Sequence, residues 1–175
     1  MTHVHTPFTS DAAKALRAGE EVRITGVIYT ARDAAHKKLC EFLEAGEPLP
    51  MELQDQIIYY TGPTPTPPGR PIGSCGPTTS YRMDPYTPAL LSQGLRGIIG
   101  KGRRSQPVID ALKEHTAVYF SAEGGCGALL ANYVKTCTVV AFPELGPEAI
   151  HRLEVENFPV TVFCDTQGNI FSPYL

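Results

Sequence analysis

The chain has 175 residues and a mass of 19.0 kDa, which is enough for one domain. Its 15 Lys and Arg residues against 18 Asp and Glu residues give a net charge of −3, which disfavours a nucleic-acid-binding module, since these usually carry a basic excess. There is no apolar run of the roughly 18 residues that a membrane span needs and no apolar core of a signal peptide. We therefore expect a single domain over 1–175 in the cytoplasm, without membrane contact, and with a flexible or loosely packed segment at 1–14.

The first half of the chain alternates predicted strands and helices. Apolar and polar residues alternate along Glu21–Thr30, which is typical of a half-buried strand. Arg32–Ala45 places its apolar residues on one helical face and is followed by Gly46, which is typical of a helix end. Gln56–Thr61 is a second predicted strand. The proline-rich stretch Gly62–Gly73 predicts a loop rather than an interdomain linker.

The second half continues this alternation in shorter elements. Helices are predicted at Pro88–Gln93, from Ser105 to about His115, and at Gly127–Lys135. Strands are predicted at Gly97–Gly100, Ala117–Ser121, Cys137–Phe142 and Phe158–Cys164. Several connections are too short for a helical crossover, so the sheet should contain antiparallel as well as parallel pairs. The pattern predicts an α/β fold with a mixed sheet flanked by helices.

The five cysteines are dispersed along the chain and form no C-x-x-C pair. This spacing disfavours both a disulfide framework and a zinc site. Cys40, Cys137 and Cys164 lie in apolar segments and are expected to act as small core residues. Cys75 and Cys126 lie in glycine-rich loops, where functional residues are more common.

Three cationic residues follow predicted strands or stand in loops that contain glycine: Arg32, Arg82 and Lys101. Glycine lets a ligand approach the backbone closely, and arginine can bind a carboxylate with two parallel hydrogen bonds. Three such cations brought together would suit a small dianion. Each one taken alone is more often an ordinary solvated surface charge.

A family resemblance makes this pattern specific. Gly76–Asp84 (GPTTSYRMD) resembles the GPTT-x-x-RM signature of the iron–sulfur (class I) fumarases and tartrate dehydratases. Ile99–Gly102 (IGKG) resembles their KG motif, and Tyr29–His36 (YTARDAAH) resembles their T-x-RD-x-AH segment. Further segments match in order downstream, namely Pro143–Ile150, Glu154–Pro159 and Asp165–Asn169. The resemblance therefore covers nearly the whole chain.

The resemblance implies the β subunit of a two-subunit hydro-lyase, equivalent to the C-terminal domain of the single-chain form, with the swivelling β/β/α fold. Such an enzyme adds water reversibly to fumarate to give (S)-malate. Its 4Fe-4S cluster is held by three cysteines of the other, α, subunit, so no metal ligand and no bound cofactor is expected in this chain. The implied partners are that α subunit, in a hetero-oligomer such as α2β2, and a small dicarboxylate substrate.

The resemblance also implies roles for individual residues. Thr78 matches the family's proposed general base, which removes the C3 proton of malate. Arg32, Arg82 and Lys101 match residues that bind the substrate carboxylates and stabilise the charge that develops as this proton leaves. A threonine hydroxyl is a poor base at neutral pH, so Thr78 would need either a nearby cation such as Arg82 or Lys101 to stabilise its alkoxide, or a proton relay. Thr79 could hydrogen-bond in the same loop or simply set its turn.

Several points stay open at this level. Asp33 is expected to have a structural role, by pairing with an arginine or capping a helix. His36 is expected to support the site rather than to act on the substrate. Tyr81 and Cys126 depart from the family pattern, which has smaller residues at the first position and Pro or Ala at the second. Tartrate or mesaconate are alternative substrates, and a rival interpretation is a non-catalytic domain that binds a dicarboxylate or another protein.

Overall fold

The computed structural model describes residues 1–172, which form seven strands and five α-helices within that range. The strands are β1 (Thr2–His5), β2 (Glu21–Thr30), β3 (Ile57–Tyr59), β4 (Gly97–Gly100), β5 (Val118–Ser121), β6 (Val134–Ala141) and β7 (Ile150–Cys164). The helices are α1 (Ser10–Ala15), α2 (Asp33–Glu44), α3 (Thr87–Ser92), α4 (Gln106–Glu114) and α5 (Gly127–Leu130). Short 3₁₀ helices cover Ser80–Met83, Ala131–Tyr133 and Pro143–Glu148. None of the helices within residues 1–172 combines the length and the apolar character needed to cross a membrane.

The long strands β2 and β7 organise the sheet. β2 pairs in parallel with β1 near its start and with β3 at its end, and it pairs antiparallel with β7 along nearly its whole length. β3, β4 and β5 continue in parallel, and β5 pairs antiparallel with β7. Strands β2, β3, β4, β5 and β7 therefore close into a ring, which β1 and β6 extend. The mixed sheet and its flanking helices confirm the predicted α/β class.

Two apolar cores lie on opposite faces of the parallel strands, because successive side chains of a strand point to opposite sides. Ile57, Tyr59 and Phe120 belong to one core, which the N-terminal segment also joins. Ile58 and Tyr119 belong to the other core. That second core is covered by helices α2, α3 and α4 through buried leucines, namely Leu39, Leu90, Leu91 and Leu112.

The N-terminal segment differs from the loosely packed one expected for 1–14. Thr2–His5 pair with β2 as an outer strand of the sheet. Phe8 and Ala13 are fully buried, and the Thr9 side chain caps α1 by accepting a hydrogen bond from the Ala12 N–H at 3.3 Å. The sequence of this segment looks polar because only a few of its residues enter the core. Those few buried residues nevertheless hold the segment against the sheet.

The last strand is longer than the sequence pattern predicts. β7 begins at Ile150 rather than at Phe158, and Ile150, Leu153 and Val155 are buried along its first half. Asn157 has a positive φ of 54°, and the exposed pair Glu156-Asn157 interrupts the alternation of buried and exposed residues. The predicted helix Gly127–Lys135 is correspondingly short, because β6 already starts at Val134 to pair with β7.

A buried histidine anchors α2 to the sheet. His36 is fully buried, and its ring packs edge-on against Tyr60 with the ring centroids 5.2 Å apart. Its Nδ1 lies 2.8 Å from the Arg32 carbonyl oxygen, which can only accept, so Nδ1 carries the proton. Burial lowers the pKa of His36 from 6.5 to about 4, because the imidazolium would lose its hydration. The ring is therefore neutral at pH 7.

This burial predicts a pH-dependent part of the stability. The unfolded chain binds a proton at His36 more readily than the folded chain, so the contribution is fully present above pH 6.5 and is lost as the pH falls towards 4. His36→Asn keeps an N–H donor but does not titrate. Relative to this variant, the wild-type free energy of unfolding should decrease by about 3 kcal/mol between pH 7 and pH 4.

Urea denaturation at a series of pH values measures this difference, because all other titrating groups are common to both proteins. Parallel pH profiles for the wild type and His36→Asn would contradict the neutral, buried state of the ring.

Candidate functional site

The carboxyl ends of the parallel strands β2, β3 and β4 lie side by side at one edge of the sheet. Arg32 follows β2, Tyr60 follows β3, and Lys101 follows β4. The backbone ladder continues past the strand ends, since the Tyr60 N–H donates to the Ile99 carbonyl at 2.8 Å. In α/β folds this edge of a sheet is where ligands usually bind.

The loop that carries the GPTT motif is held against these strand ends. The Thr78 N–H donates to the Tyr60 carbonyl at 2.7 Å. The Thr61 hydroxyl donates to the Gly76 carbonyl, also at 2.7 Å. Both bonds use main-chain groups of the loop. They therefore fix the path of the loop independently of its side chains. Thr78 is half-buried at the end of β3.

The Lys101 segment is paired with the same loop. Thr79 and Lys101 form a parallel β-bridge. The Ser80 N–H donates to the Lys101 carbonyl at 3.0 Å, and the Lys101 N–H donates to Ser80 Oγ at 3.1 Å. Gly124 leaves room for the lysine side chain, since a Cβ there would lie 3.3 Å from Lys101 Cδ and 3.4 Å from Nζ. Thr79 and Lys101 are therefore held as neighbours.

Arg32 lies at the N-terminal cap of α2 and extends over Gly62. A Cβ at position 62 would lie 3.0 Å from Arg32 Cδ, so the glycine makes space for this side chain. The Oε1 atom of Glu148 lies 4.0 Å from Arg32 Nε, which is a weak ion pair between side chains about one-third exposed. Within residues 1–172 this buried Nε has no hydrogen-bond partner. The Arg32 side chain is nevertheless 29 % exposed, so it stays accessible to a ligand.

Arg82 approaches the same edge from the 3₁₀ helix Ser80–Met83. Its Nε lies 3.4 Å from Oδ2 of Asp33, and both side chains are about 40 % exposed. Exposed ion pairs of this kind contribute little to stability. The contact nevertheless brings Arg82 to Asp33 in the first turn of α2, the residue that follows Arg32. Asp33 therefore pairs with an arginine, which is one of the two structural roles considered for it.

The fold brings the predicted site residues to one edge of the sheet, although they come from three separate parts of the sequence. Three of them are cations, and within residues 1–172 two carboxylates pair with them, those of Asp33 and Glu148. A dianion bound at this edge would meet guanidinium and ammonium donors together with a threonine hydroxyl. The five residues are Arg32, Thr78, Thr79, Arg82 and Lys101.

Sequence reasoning missed a buried polar network beneath this edge. The Arg104 side chain is only 1 % exposed, and its Nε donates to Asp84 Oδ1 at 2.7 Å. The guanidinium also lies over the rings of Tyr60 and Tyr119, at 5.2 and 4.9 Å from the centroids. These partners are distant in sequence. The only local signal was the position of Arg104 shortly after the KG motif.

The cysteines form no common cluster in the part of the chain that the structure describes. Cys75 and Cys164 are buried, and burial raises the pKa of their thiols to about 12 and about 11. Cys126 is half-buried, with Sγ 3.7 Å from Glu123 Oε2. Over residues 1–172 no group of three or more His, Cys, Asp or Glu side chains is arranged to hold a metal ion. Cys75 is thus a core residue of its loop.

Comparison with known proteins places this geometry in a family. The family described as Fumarase C-terminus matches residues 2–173. The chain is 48% identical over 150 residues to the anaerobic class I fumarate hydratase of Escherichia coli strain K12, covering 85% of this chain and 27% of that protein. It is 45% identical over 153 residues to fumarate hydratase 2 of Leishmania major, covering 86% and 27%.

A third relative has nearly the same length as this chain. The putative L(+)-tartrate dehydratase subunit beta of Methanocaldococcus jannaschii is 40% identical over 179 residues, covering 97% of this chain and 90% of the relative. The chain thus spans about a quarter of the two fumarate hydratases and most of the tartrate dehydratase subunit. These matches confirm the resemblance seen in the GPTT and KG motifs, and the chain belongs to the Fumarase C-terminus family.

Proposed function

We propose that this chain is the β subunit of an iron–sulfur hydro-lyase that hydrates fumarate reversibly to (S)-malate, and that it supplies half of the active site. The observation that carries the proposal is that Thr78, Arg32, Arg82 and Lys101 all lie at one edge of the sheet in a member of this family. The names of the two fumarate hydratases support the reaction.

The three cations suit a substrate with two carboxylates. Arg32 and Arg82 each present a planar guanidinium that can bind a carboxylate through two hydrogen bonds, whereas Lys101 presents a compact charge. The partly open position of these side chains leaves them accessible to a ligand. Their fixed placement would also stabilise the charge that spreads into a carboxylate when the neighbouring C–H bond breaks.

Thr78 is the proposed base. Its alkoxide would accept the C3 proton of malate, and the electron pair of the C–H bond would pass into the adjacent carboxylate, which the cations hold. An ordinary threonine hydroxyl is a poor base at neutral pH, so the positive charge of Arg82 and Lys101 is needed to favour the alkoxide. Thr79 would hydrogen-bond beside it. The acid that protonates the leaving hydroxyl is assigned to the partner subunit.

The described residues of this chain do not fit an iron–sulfur cluster. Three ligands would have to converge, whereas Cys75 and Cys164 are buried as protonated thiols and residues 1–172 hold no group of metal-ligating side chains. We therefore assign the 4Fe-4S cluster to an α subunit, in a hetero-oligomer such as α2β2. The small share of the fumarate hydratases that this chain covers supports such a partner. The exposed Tyr81 ring stands beside Arg82, where that partner would complete the site.

A second candidate is the β subunit of a tartrate dehydratase. The observation that favours it is the relative named as such a subunit, which matches this chain along almost its whole length. The same cations and the same base would serve, because tartrate is also a hydroxylated C4-dicarboxylate.

Anaerobic co-purification from the native cell extract tests the proposal. The eluate is analysed for a partner chain and for iron, and it is assayed with fumarate, tartrate and mesaconate. A partner with iron and fumarate hydration is the expected result. If the eluate acts only on tartrate or mesaconate, the proposed mechanism stands and the proposed substrate, fumarate, is wrong. A chain without partner, iron or hydration would contradict the proposal and favour a non-catalytic binding domain.

Replacing Thr78 tests the assignment of the base. Thr78→Val keeps the shape of the side chain but lacks the hydroxyl, so turnover by the assembled enzyme should fall by about 10²- to 10⁴-fold. Thr78→Ser is the matched control, because it retains a hydroxyl, and it should keep most of the activity. Steady-state kinetics measures both variants. Normal turnover by Thr78→Val would remove this hydroxyl from the chemistry.

Replacing Lys101 tests the binding of the dicarboxylate. Lys101→Gln removes one charged hydrogen bond, so the KM for the dicarboxylate should rise by about 10- to 100-fold. Lys113→Gln removes an exposed lysine of α4 and serves as the control with an unchanged KM. If both variants show wild-type KM and kcat, Lys101 does not belong to the site.

A further inference from the structure

Arg104 is a buried cation that follows β4, close in sequence to Lys101. Its Nε donates to Asp84 Oδ1 at 2.7 Å. The other carboxylate oxygen of Asp84 accepts the Ser105 N–H at 2.8 Å. The carboxylate both neutralises Arg104 and fixes where its guanidinium lies, and a charged pair of this kind is strongly directional in a buried setting.

The guanidinium lies against two tyrosine rings that face it from neighbouring parts of the sheet. Its centre is 5.2 Å from the ring centroid of Tyr60 and 4.9 Å from that of Tyr119. Nη2 also lies 3.2 Å from the Tyr60 hydroxyl and 2.8 Å from Thr87 Oγ1. Arg104 therefore contacts both rings at once.

Tyr60 connects Arg104 to the proposed base. The ring of Tyr60 lies against the Arg104 guanidinium, and the main-chain carbonyl of Tyr60 accepts the Thr78 N–H at 2.7 Å. A shift of the ring would therefore move the residue to which the Thr78 backbone is bound.

Tyr119 connects Arg104 to the lysine. The Tyr119 hydroxyl lies 2.8 Å from the Gly102 carbonyl and 2.9 Å from Ser80 Oγ, which in turn accepts the Lys101 N–H at 3.1 Å. Burial raises the pKa of the Tyr119 hydroxyl, so it stays protonated and can donate. The two loops that carry Thr78 and Lys101 thus meet at a single hydroxyl.

We propose that Arg104 is a positioning residue that sets Thr78 relative to Lys101 through Tyr60 and Tyr119. This inference rests on the proposed function, because it concerns the two residues assigned there to proton removal and carboxylate binding. Arg104→Lys keeps the charge near Asp84 but has no planar group that can lie against both rings. Tyr119→Phe keeps the ring and removes only the hydroxyl.

The variants are compared in the enzyme assembled with its co-purified partner. Arg104→Lys and Tyr119→Phe should lower kcat by about 10- to 100-fold, since a small misplacement of reacting groups has an effect of that size. The deuterium isotope effect with 3-deuterated malate should rise, because proton removal becomes more strongly rate-limiting. A role in stability alone would reduce the active fraction and leave the isotope effect and KM unchanged.

Arg96→Lys is the matched control. Arg96 precedes β4 at the opposite end of the strand, its side chain is 11 % exposed, and its Nη2 and Nε lie 2.9 and 3.1 Å from Asp55 Oδ1. It is a similar arginine–aspartate pair outside the proposed site. Arg96→Lys should leave the isotope effect and KM at their wild-type values.

Hydrogen exchange followed by mass spectrometry gives a readout that does not depend on activity. Peptides covering 76–84 and 100–104 should exchange faster in Arg104→Lys and Tyr119→Phe than in the wild type, while peptides of β2 and β7 keep their protection. If the wild-type assembly converts no dicarboxylate, the proposed function fails, and exchange then tests only whether Arg104 holds the two loops in place. If Arg104→Lys does not fold, the test rests on Tyr119→Phe, which removes the hydroxyl that contacts both loops.

Wild-type exchange at 76–84 and 100–104 in the folded variants would overturn the proposal. Equal changes in the isotope effect for Arg96→Lys and Arg104→Lys would overturn it as well.

Discussion

The candidate site depends on the main-chain pairing between the loop Gly76–Ser80 and the ends of β3 and β4. One bond runs from the Thr78 N–H to the Tyr60 carbonyl at 2.7 Å, and another runs from the Ser80 N–H to the Lys101 carbonyl at 3.0 Å. The Ser80 hydroxyl adds a side-chain bond by accepting the Lys101 N–H at 3.1 Å. Each is worth only about 1 kcal/mol on its own. Together they continue the sheet ladder into this loop, and they determine where the threonine and the lysine lie.

The cations at this edge would be poorly arranged for stability alone. Arg32 has a buried Nε without a hydrogen-bond partner within residues 1–172, and its nearest acid lies 4.0 Å away. Buried donors that lack partners reduce stability by about 1–3 kcal/mol. Glycines at positions 62 and 124 leave space for Arg32 and Lys101, where any side chain would crowd them. The space that these glycines leave makes sense if the two cations bind an anion, and that is the role proposed for them with the dicarboxylate.

The sequence was informative where function depends on short contiguous segments. Each of three segments can be recognised from its own residues: the GPTT loop, the Arg32 segment and the KG motif. The strands that precede Arg32 and Lys101 were also predicted, from the pattern of apolar residues. It was not informative about Arg104, because the four partners of this residue are distant from it in sequence. The outer strand β1 was missed for a related reason, since pairing of Thr2–His5 with β2 depends on Phe8 and Ala13 entering a core that local pattern does not reveal.

The central claim is that this chain contributes the base and the carboxylate-binding cations to a site that a partner completes. It is tested most directly by an experimental structure of the assembled enzyme with a non-reactive dicarboxylate such as succinate bound. Carboxylate oxygens should lie within about 3 Å of donors on Arg32, Arg82 and Lys101, and the Thr78 hydroxyl should face a methylene carbon of the ligand. A dicarboxylate bound entirely by the partner chain, or at a different edge of this sheet, would contradict it.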